Sequence, residues 1–415
     1  MRLLPFITCI STICDISDEQ EYLLLSYPQY FELKILHLST EGLPDWRIEK
    51  SAITAKSQGH DVLFAGSKSP FKYDRKTFSK VYEIIWSAKA RYGLPYYWSL
   101  VQKQLSKIIK DARPEIVHAH NIFSAKMMLE FDLPFVYDDH EYWSKHSRLL
   151  LEMEKLNEDK SENANVTRTI RKMPKKVKRI LINKHVNHLW TKWEEELVSS
   201  IPTITVSNEI ADDLRLIGNS NKIFVIPNFP MKFETDGFRR PRPHKKLTSV
   251  YAGSDGHNKK KYPSRNIDGL LDIFASRDIG ELTIIGWSGE QTKNVRFTGF
   301  LDRGDMYSEM ANHSIGLVPF KKHWSHGYIN PNKAYEYAHA GLYVMFTNSF
   351  KPLRDILKDH CVTFEDYDDM VLKLSYFKHN LDELYEKRLK LFDFARNNLN
   401  WEQNAGKIFD AYRAC

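Results

Sequence analysis

Between residues 326 and 344 the chain reads HGYINPNKAYEYAHAGLYV. Its order of residue types is that of a helix start able to hold an anion. Pro331 suits a first helical turn, Lys333 and Glu336 stand three apart on one face, and Gly341 stops the helix before an apolar strand. A helix N-terminus offers free backbone N–H groups to an anion, and a carboxylate one turn further in can accept hydrogen bonds from a ribose diol. An ordinary surface helix with an i,i+3 ion pair has the same spacing. Two more sets of residues could do chemistry. His118 and His120 in HAH and His140 in DDHE stand at the ends of short apolar runs, and Lys259, Lys260, Lys261 and Arg265 form a cationic group in HNKKKYPSR. The lysines could hold a phosphate or form a solvated loop.

Other patterns carry little. Asp366 and Asp368 have a D-x-D form suited to a divalent ion, but they lie between a strand (CVTFE) and a helix, where Asp is an expected N-cap. IIGWSGE holds Gly286 and Gly289 without the G-x-G-x-x-G spacing. Walker A, G-x-S-x-G and H-E-x-x-H motifs are absent from the sequence, which removes the support for P-loop and hydrolase readings.

The elements that must position these residues read as two α/β series. In the first, strands are predicted at 31–39, 61–65, 116–119, 135–138, 203–206 and 224–227, with a helix at 46–57. A linker rich in Arg, Pro and His follows at 238–246. The second has strands at 247–252, 282–285, 295–297, 315–318 and 343–346, with helices near 266–277, 303–311, 333–340 and 351–358. Two open parallel sheets place a crevice between their strand C-terminal edges, where such sheets bind ligands. The domains expected are an N-terminal extension (1–30), a first domain (31–237) with a basic helical insertion at about 150–200, a second domain (247–390) and a terminal helix (391–415).

Composition bounds the class. The chain has 415 residues, 42% apolar and 27% charged, which fits a globular protein of two to three domains. It contains no apolar run long enough to span a bilayer, so the expectation is a soluble chain. Four cysteines without metal spacing predict a reducing, cytoplasmic setting and no structural metal. Nine Lys/Arg and no Asp/Glu lie between 164 and 193, more than the whole net charge of +7, so the basicity is local.

PNKAYEYAHAGLYV resembles the donor-site motif of the GT-B glycosyltransferases, specifically family GT4. KSQGHDVLFAG, PEIVHAH, LPFVYDDHEYWS, TITVSNEIADDL, NKIFVIPNF, VYAG with SRNIDGLL, LTIIGWSG, VRFTGFL and HSIGLVPF follow the family's order from about residue 31 to the C-terminus. The resemblance implies two Rossmann-like doubly wound domains facing a central crevice. It also implies a retaining transfer of sugar from a nucleotide diphosphate donor to a hydroxyl acceptor, with no metal or cofactor.

Carried over by residue, Glu336 matches the ribose-binding glutamate and Arg265 a cation of the donor diphosphate pair, with Lys259, Lys260 or Lys261 as the second. The first of the family's two glutamates is absent, since Tyr328 stands there, so backbone groups of Gly327, Tyr328, Asn330, Pro331 and Asn332 are expected to contact the sugar, beside Lys333. Gly286 falls at the donor loop. Gly42 matches the glycine of the first βα turn, where donor phosphate or acceptor would approach the backbone. His120 is the preferred match to the family's sugar-contacting histidine, with His118 on the opposite strand face, and His140 is the second expected catalytic residue. Trp401-Glu402 matches an aromatic-acidic pair in a final helix that crosses back to the first domain and braces the hinge.

Two other functions remain open at this stage: a nucleotide-sugar 2-epimerase on the same fold, and a nucleic-acid-binding protein using the basic segment. The stretch 168–193, with cations interleaved among apolar residues and with Trp190 and Trp193, also suits an anionic membrane surface, as a lipid-linked or glycan acceptor would require. Packing of its apolar face on its own domain is the alternative. The enzyme expected is cytoplasmic, peripheral on the inner face of the membrane, and does not bind nucleic acid.

Overall fold

The computed structural model describes residues 32–69, 76–159, 173–253 and 262–415. The N-terminal extension, Lys259, Lys260, Lys261 and the centre of the basic insertion lie outside the described residues.

Short runs of β-branched and aromatic residues build two all-parallel sheets. In the first, β1 (Lys34–Leu38), β2 (Asp61–Gly66), β3 (Lys80–Glu83), β4 (Ile116–Ala119), β5 (Phe135–Asp139), β6 (Thr203–Thr205) and β7 (Ile223–Val225) lie in the order β3-β2-β1-β4-β5-β6-β7. In the second, β8 (Thr248–Ala252), β9 (Glu281–Ile285), β10 (Val295–Gly299), β11 (Ile315–Val318), β12 (Tyr343–Thr347) and β13 (Cys361–Phe364) lie in the order β10-β9-β8-β11-β12-β13. Both orders reverse once, between β1 and β4 and between β8 and β11, and a doubly wound sheet opens its ligand crevice at that switch point.

Each sheet is covered on both faces, which is why its strands read as nearly continuous apolar runs. On one face of the first sheet pack Val101, Leu105, Phe123, Trp190, Trp193 and Leu214. On the other lie Ile48 and Ala52 of helix Trp46–Ser57 together with Trp401, Phe409 and Tyr412. The last three belong to the chain's end, so the C-terminal helix Glu402–Arg413 completes the first domain. The crossing comes later than the expected 391. Helix Leu381–Asn398 still buries Leu384, Leu391 and Ala395 in the second domain, and the chain turns across at Leu399–Trp401.

The hinge is hydrogen-bonded at that turn. Trp401, fully buried, donates its Nε1–H to Thr54 Oγ1 at 2.8 Å and its backbone N–H to Pro230 O at 2.9 Å. Glu402 accepts from the Lys232 backbone N–H at 3.0 Å. The Trp-Glu pair therefore ties the first helix of the first domain to the segment at 230–232.

Candidate active site

On the first domain's side, Asp138 at the end of β5 is the centre. Arg47, in the first turn of helix Trp46–Ser57, donates to both of its oxygens, Nε to Oδ2 at 3.0 Å and Nη2 to Oδ1 at 3.1 Å. Its third arm reaches Ile226 O at 2.7 Å. Around the carboxylate stand His118 Nε2 at 3.5 Å, His120 Nδ1 at 3.4 Å and His140 Nδ1 at 3.7 Å. Burial opposes ionisation of Asp138, yet Arg47 and the imidazoles hold its carboxyl well below the usual range. For His140 burial again opposes charge, but Asp138, then Glu141 and Asp45, lift it to about 9. Its side chain is 20% exposed, whereas His118, His120 and Asp138 are closed off from solvent.

His120 thus does not line the crevice as expected. Its Nε2 is 2.8 Å from His37 Nδ1, and burial, reinforced by His118, lowers it to about 3, a neutral ring. Nor does His118 lie on the opposite face. Residues two apart on a strand share a face, and the two rings stack at 4.2 Å with 9° between their planes. His118 Nδ1 is bonded to Tyr412 Oη at 2.9 Å. His37, His118 and His120 have the composition of a metal site. An ion, however, must lie in the plane of every ring that ligates it, and two rings stacked face to face share no such point. The three rings stack on one another, with His37 and His120 also hydrogen-bonded.

The second domain supplies Glu336 from helix Asn332–His339. Its Oε1 is 3.1 Å from Arg303 Nη2 and 3.4 Å from Tyr307 Oη. The same guanidinium holds Glu234 of the short helix Lys232–Thr235, with Nη2 to Oε1 at 2.7 Å, and lies 4.4 Å from the Trp46 ring of the opposite domain. Lys50, on the same helix as Trp46, donates to Phe229 O at 2.6 Å and Asn228 Oδ1 at 2.9 Å. Burial lowers its pKa to about 8 although Glu234 and Glu336 oppose the shift. One helix of the first domain therefore sends Arg47 to one half of the site and Lys50 toward the other.

The remaining sequence-expected residues divide. Lys333 lies 4.4 Å over the Tyr251 ring, and its Nζ is beside Gly253 at the end of β8, where an added Cβ would meet it at 3.0 Å. Pro331 is the N-cap of the helix rather than its first residue, and Asn332 opens it. Gly327 has open space where a side chain would be. Tyr328 and Asn330 face the first domain: the Tyr328 ring packs edge-on to Tyr142 at 5.2 Å and Asn330 Nδ2 donates to Val206 O at 3.1 Å. Arg265 is exposed on the turn Pro263–Arg265, which is anchored by His326 Nε2 at 2.7 Å from Ser264 O. Gly286 has φ +108°, a left-handed turn between β9 and β10 that favours glycine. At Gly42 an added Cβ would meet the carbonyls of Ser67 and Lys68 at 2.8 Å, so the close approach there is to the chain's own backbone. Asp366 caps helix Tyr367–His379, accepting from Asp369 N at 3.0 Å. Trp190 and Trp193 pack inward, and Trp190 donates to Arg91 O, so they offer no apolar face to a membrane.

Sequence reasoning missed Arg47, Lys50, Asp138, Glu234 and Arg303. Arg47 left a signal: it occupies a core-facing position in step with Ile48, Ser51, Ala52 and Ala55, and a cation there needs a buried partner.

Two doubly wound domains that face each other at their switch points, with the chain's end returning to the first, define the GT-B fold. Residues 52–229 match the model of Glycosyltransferase Family 4. Sucrose-phosphate synthase from Thermosynechococcus elongatus superposes with a TM-score of 0.67 at 12% identity, covering 92% of this chain and 98% of its own. A glycosyltransferase from Rickettsia africae gives 0.61 at 13% identity, with 93% and 99% covered. Anabaena HepE in complex with UDP-glucose gives 0.62 at 11% identity, with 92% and 100% covered. No curated protein sequence matches. The chain has the GT-B fold, and its residues 52–229 are similar to Glycosyltransferase Family 4.

Proposed function

We propose that the chain moves a sugar from a nucleotide diphosphate donor to a hydroxyl acceptor with retention at the anomeric carbon, without a metal, in cell-surface glycan or glycolipid synthesis. The observation that carries this reading is Glu336, fixed by Arg303 one turn into a helix whose N-terminus opens on the crevice. The carboxylate accepts from the ribose hydroxyls. Arg265, Lys333 and the helix N-terminus face the diphosphate, where positive charge stabilises the leaving group, and Lys259, Lys260 or Lys261 joins them. His140, cationic and at the crevice, donates to the sugar or the phosphate. The bond from the anomeric carbon to the phosphate oxygen breaks, the acceptor oxygen bonds on the same face, and its proton passes to the leaving phosphate.

Three experiments separate the parts. The anomeric configuration of the product, read by NMR, tests retention, and inversion would refute it. Conversion of the donor sugar without acceptor would mark the epimerase reading instead. For the acceptor, we favour a lipid-linked one met at the inner membrane face. Ile85, Leu94 and Tyr96, 80%, 43% and 69% exposed, follow β3 in the chain, the last two at the start of helix Pro95–Ala112. Leu181, 61% exposed, continues the basic segment whose Lys175, Lys176, Lys178 and Arg179 side chains lie outside the described residues. No helix among the described residues is long and apolar enough to cross a membrane. The third experiment is vesicle co-sedimentation.

A further inference from the structure

We propose that Asp138, clamped by Arg47, is a positioning residue that keeps the His140 ring doubly protonated and aimed into the crevice, so that His140 serves the reaction as a cationic donor and never as its base. This rests on the reading of His140 as a crevice contact.

The geometry carries the assignment. Asp138 has no exposure, and both of its oxygens are fixed by the planar fork of Arg47, whose remaining arm is held by Ile226 O. A carboxylate so held cannot rotate away from the imidazole nitrogen 3.7 Å from its Oδ1. A base would need its free lone pair toward the crevice and a proton on the Asp138 side only. Here the surroundings favour both protons. The acidic groups facing His140 are Asp138 at the end of β5, Glu141 beside it and Asp45 at the start of helix Trp46–Ser57. Arg47 and the neutral His118 and His120 lie behind Asp138, and Asp139 adjoins. The imidazole stack completes the device: His120 and His118 present ring nitrogens to Asp138 and are themselves fixed by His37 and Tyr412. The last contact comes from the helix that returns from the second domain, so the far end of the chain takes part in positioning the carboxylate.

A ring lifted from 6.5 to about 9 contributes stability that is full below 6.5 and lost as the pH rises through about 9.

The test is histidine ring NMR on the full chain, with His140→Gln to assign the resonance, followed by the pH profile of kcat. The wild-type ring should titrate near 9. In Asp138→Asn it should titrate about one to three pH units lower, and the alkaline loss of kcat should move down with it. Should Asp138→Asn leave Arg47 too costly to bury, Arg47→Met with Asp138→Asn removes both charges and should show the same downward move. A purely structural Asp138 would leave the midpoint of a folded variant where it was, and that result overturns the proposal. So does a wild-type ring titrating near 6.5, or a kcat profile that ignores a ring shifted by the substitution. The ring titration needs no donor, so it reads the charge even if the chain transfers no sugar; loss of transfer with the titration intact would count against the proposed function instead.

Discussion

Replacing Arg303 by Met removes one guanidinium from two carboxylates while keeping the length of the side chain. In the structure Arg303 binds Glu234, whose side chain is 2% exposed, and Glu336, 13% exposed, and is itself 26% exposed. Breaking a fully buried pair costs about 3–5 kcal/mol, while a surface pair is worth about 0–1 kcal/mol. A guanidinium a quarter open to water falls between, at about 2 kcal/mol. Its contacts with Trp46 at 4.4 Å and Tyr307 at 4.8 Å add about the weight of one weak cation–π pair. Lys50, already near Glu234 and Glu336, offsets part of the loss. For a domain of this size about 2 kcal/mol lowers the melting temperature by roughly 4–8 °C. The assay is thermal unfolding at low and high salt, beside Glu336→Gln, which leaves the Arg303–Glu234 pair intact and should cost less than about 1 kcal/mol. A double-substitution cycle in donor binding should then show coupling of about 0.5–3 kcal/mol between 303 and 336. Arg303→Met melting with the wild type, or adding to Glu336→Gln without coupling, would refute the shared-guanidinium account.

Gly316→Ala on β11 would drive a Cβ into the ring of Tyr337, whose hydroxyl accepts from Ala252 N at 2.8 Å. Overpacking there should cost about 1–3 kcal/mol in thermal melts, and an unchanged melting temperature would deny the close contact. On the proposed reading, in which Arg265, Lys333 and a helix N-terminus take the diphosphate, glycosyl transfer should continue in excess chelator; strict dependence on magnesium or manganese, measured by activity, would return Asp366 and Asp368 to consideration. At low salt the chain should co-sediment with anionic vesicles and release at high salt, each surface cation being worth about 1 kcal/mol, and changing Lys175, Lys176, Lys178 and Arg179 to Glu should abolish it. Wild-type protein that ignores such vesicles would favour a soluble acceptor.

Periodicity placed most of both sheets, because strands buried on two faces must be apolar throughout. The edge strand β3 (KVYE), exposed along most of its length, has no such run and went unread. The terminal helix was legible as crossing back to the first domain, but the break at Leu399–Trp401 depends on which core each turn enters. In the site, PNKAYEY announced itself because a helix start, a cation and a carboxylate are local features. Asp138 did not. Its role comes from Arg47, 91 residues away in sequence, and Asp138 and Asp139 stand side by side with nothing local to say which faces the histidines. His120 was read too far outward for a related reason. The end of a strand looks like a crevice position until a neighbouring strand contributes His37 to bury it. Sequence identifies residue types that can bind a nucleotide sugar, whereas their charge states are set by partners brought in from other strands and from the far end of the chain.

Glu336 is proposed to belong to a nucleotide-sugar site, and calorimetric titration with UDP-, GDP- and ADP-sugars against wild type and Glu336→Gln reads this without any acceptor. One donor should bind the wild type. The variant, folded and melting within about 1 kcal/mol of it, should bind that donor about 10- to 150-fold more weakly, the equivalent of about 1.5–3 kcal/mol when charge-assisted bonds to the ribose become neutral ones. Equal affinity for both proteins, or no binding of any nucleotide sugar by the wild type, would contradict the account.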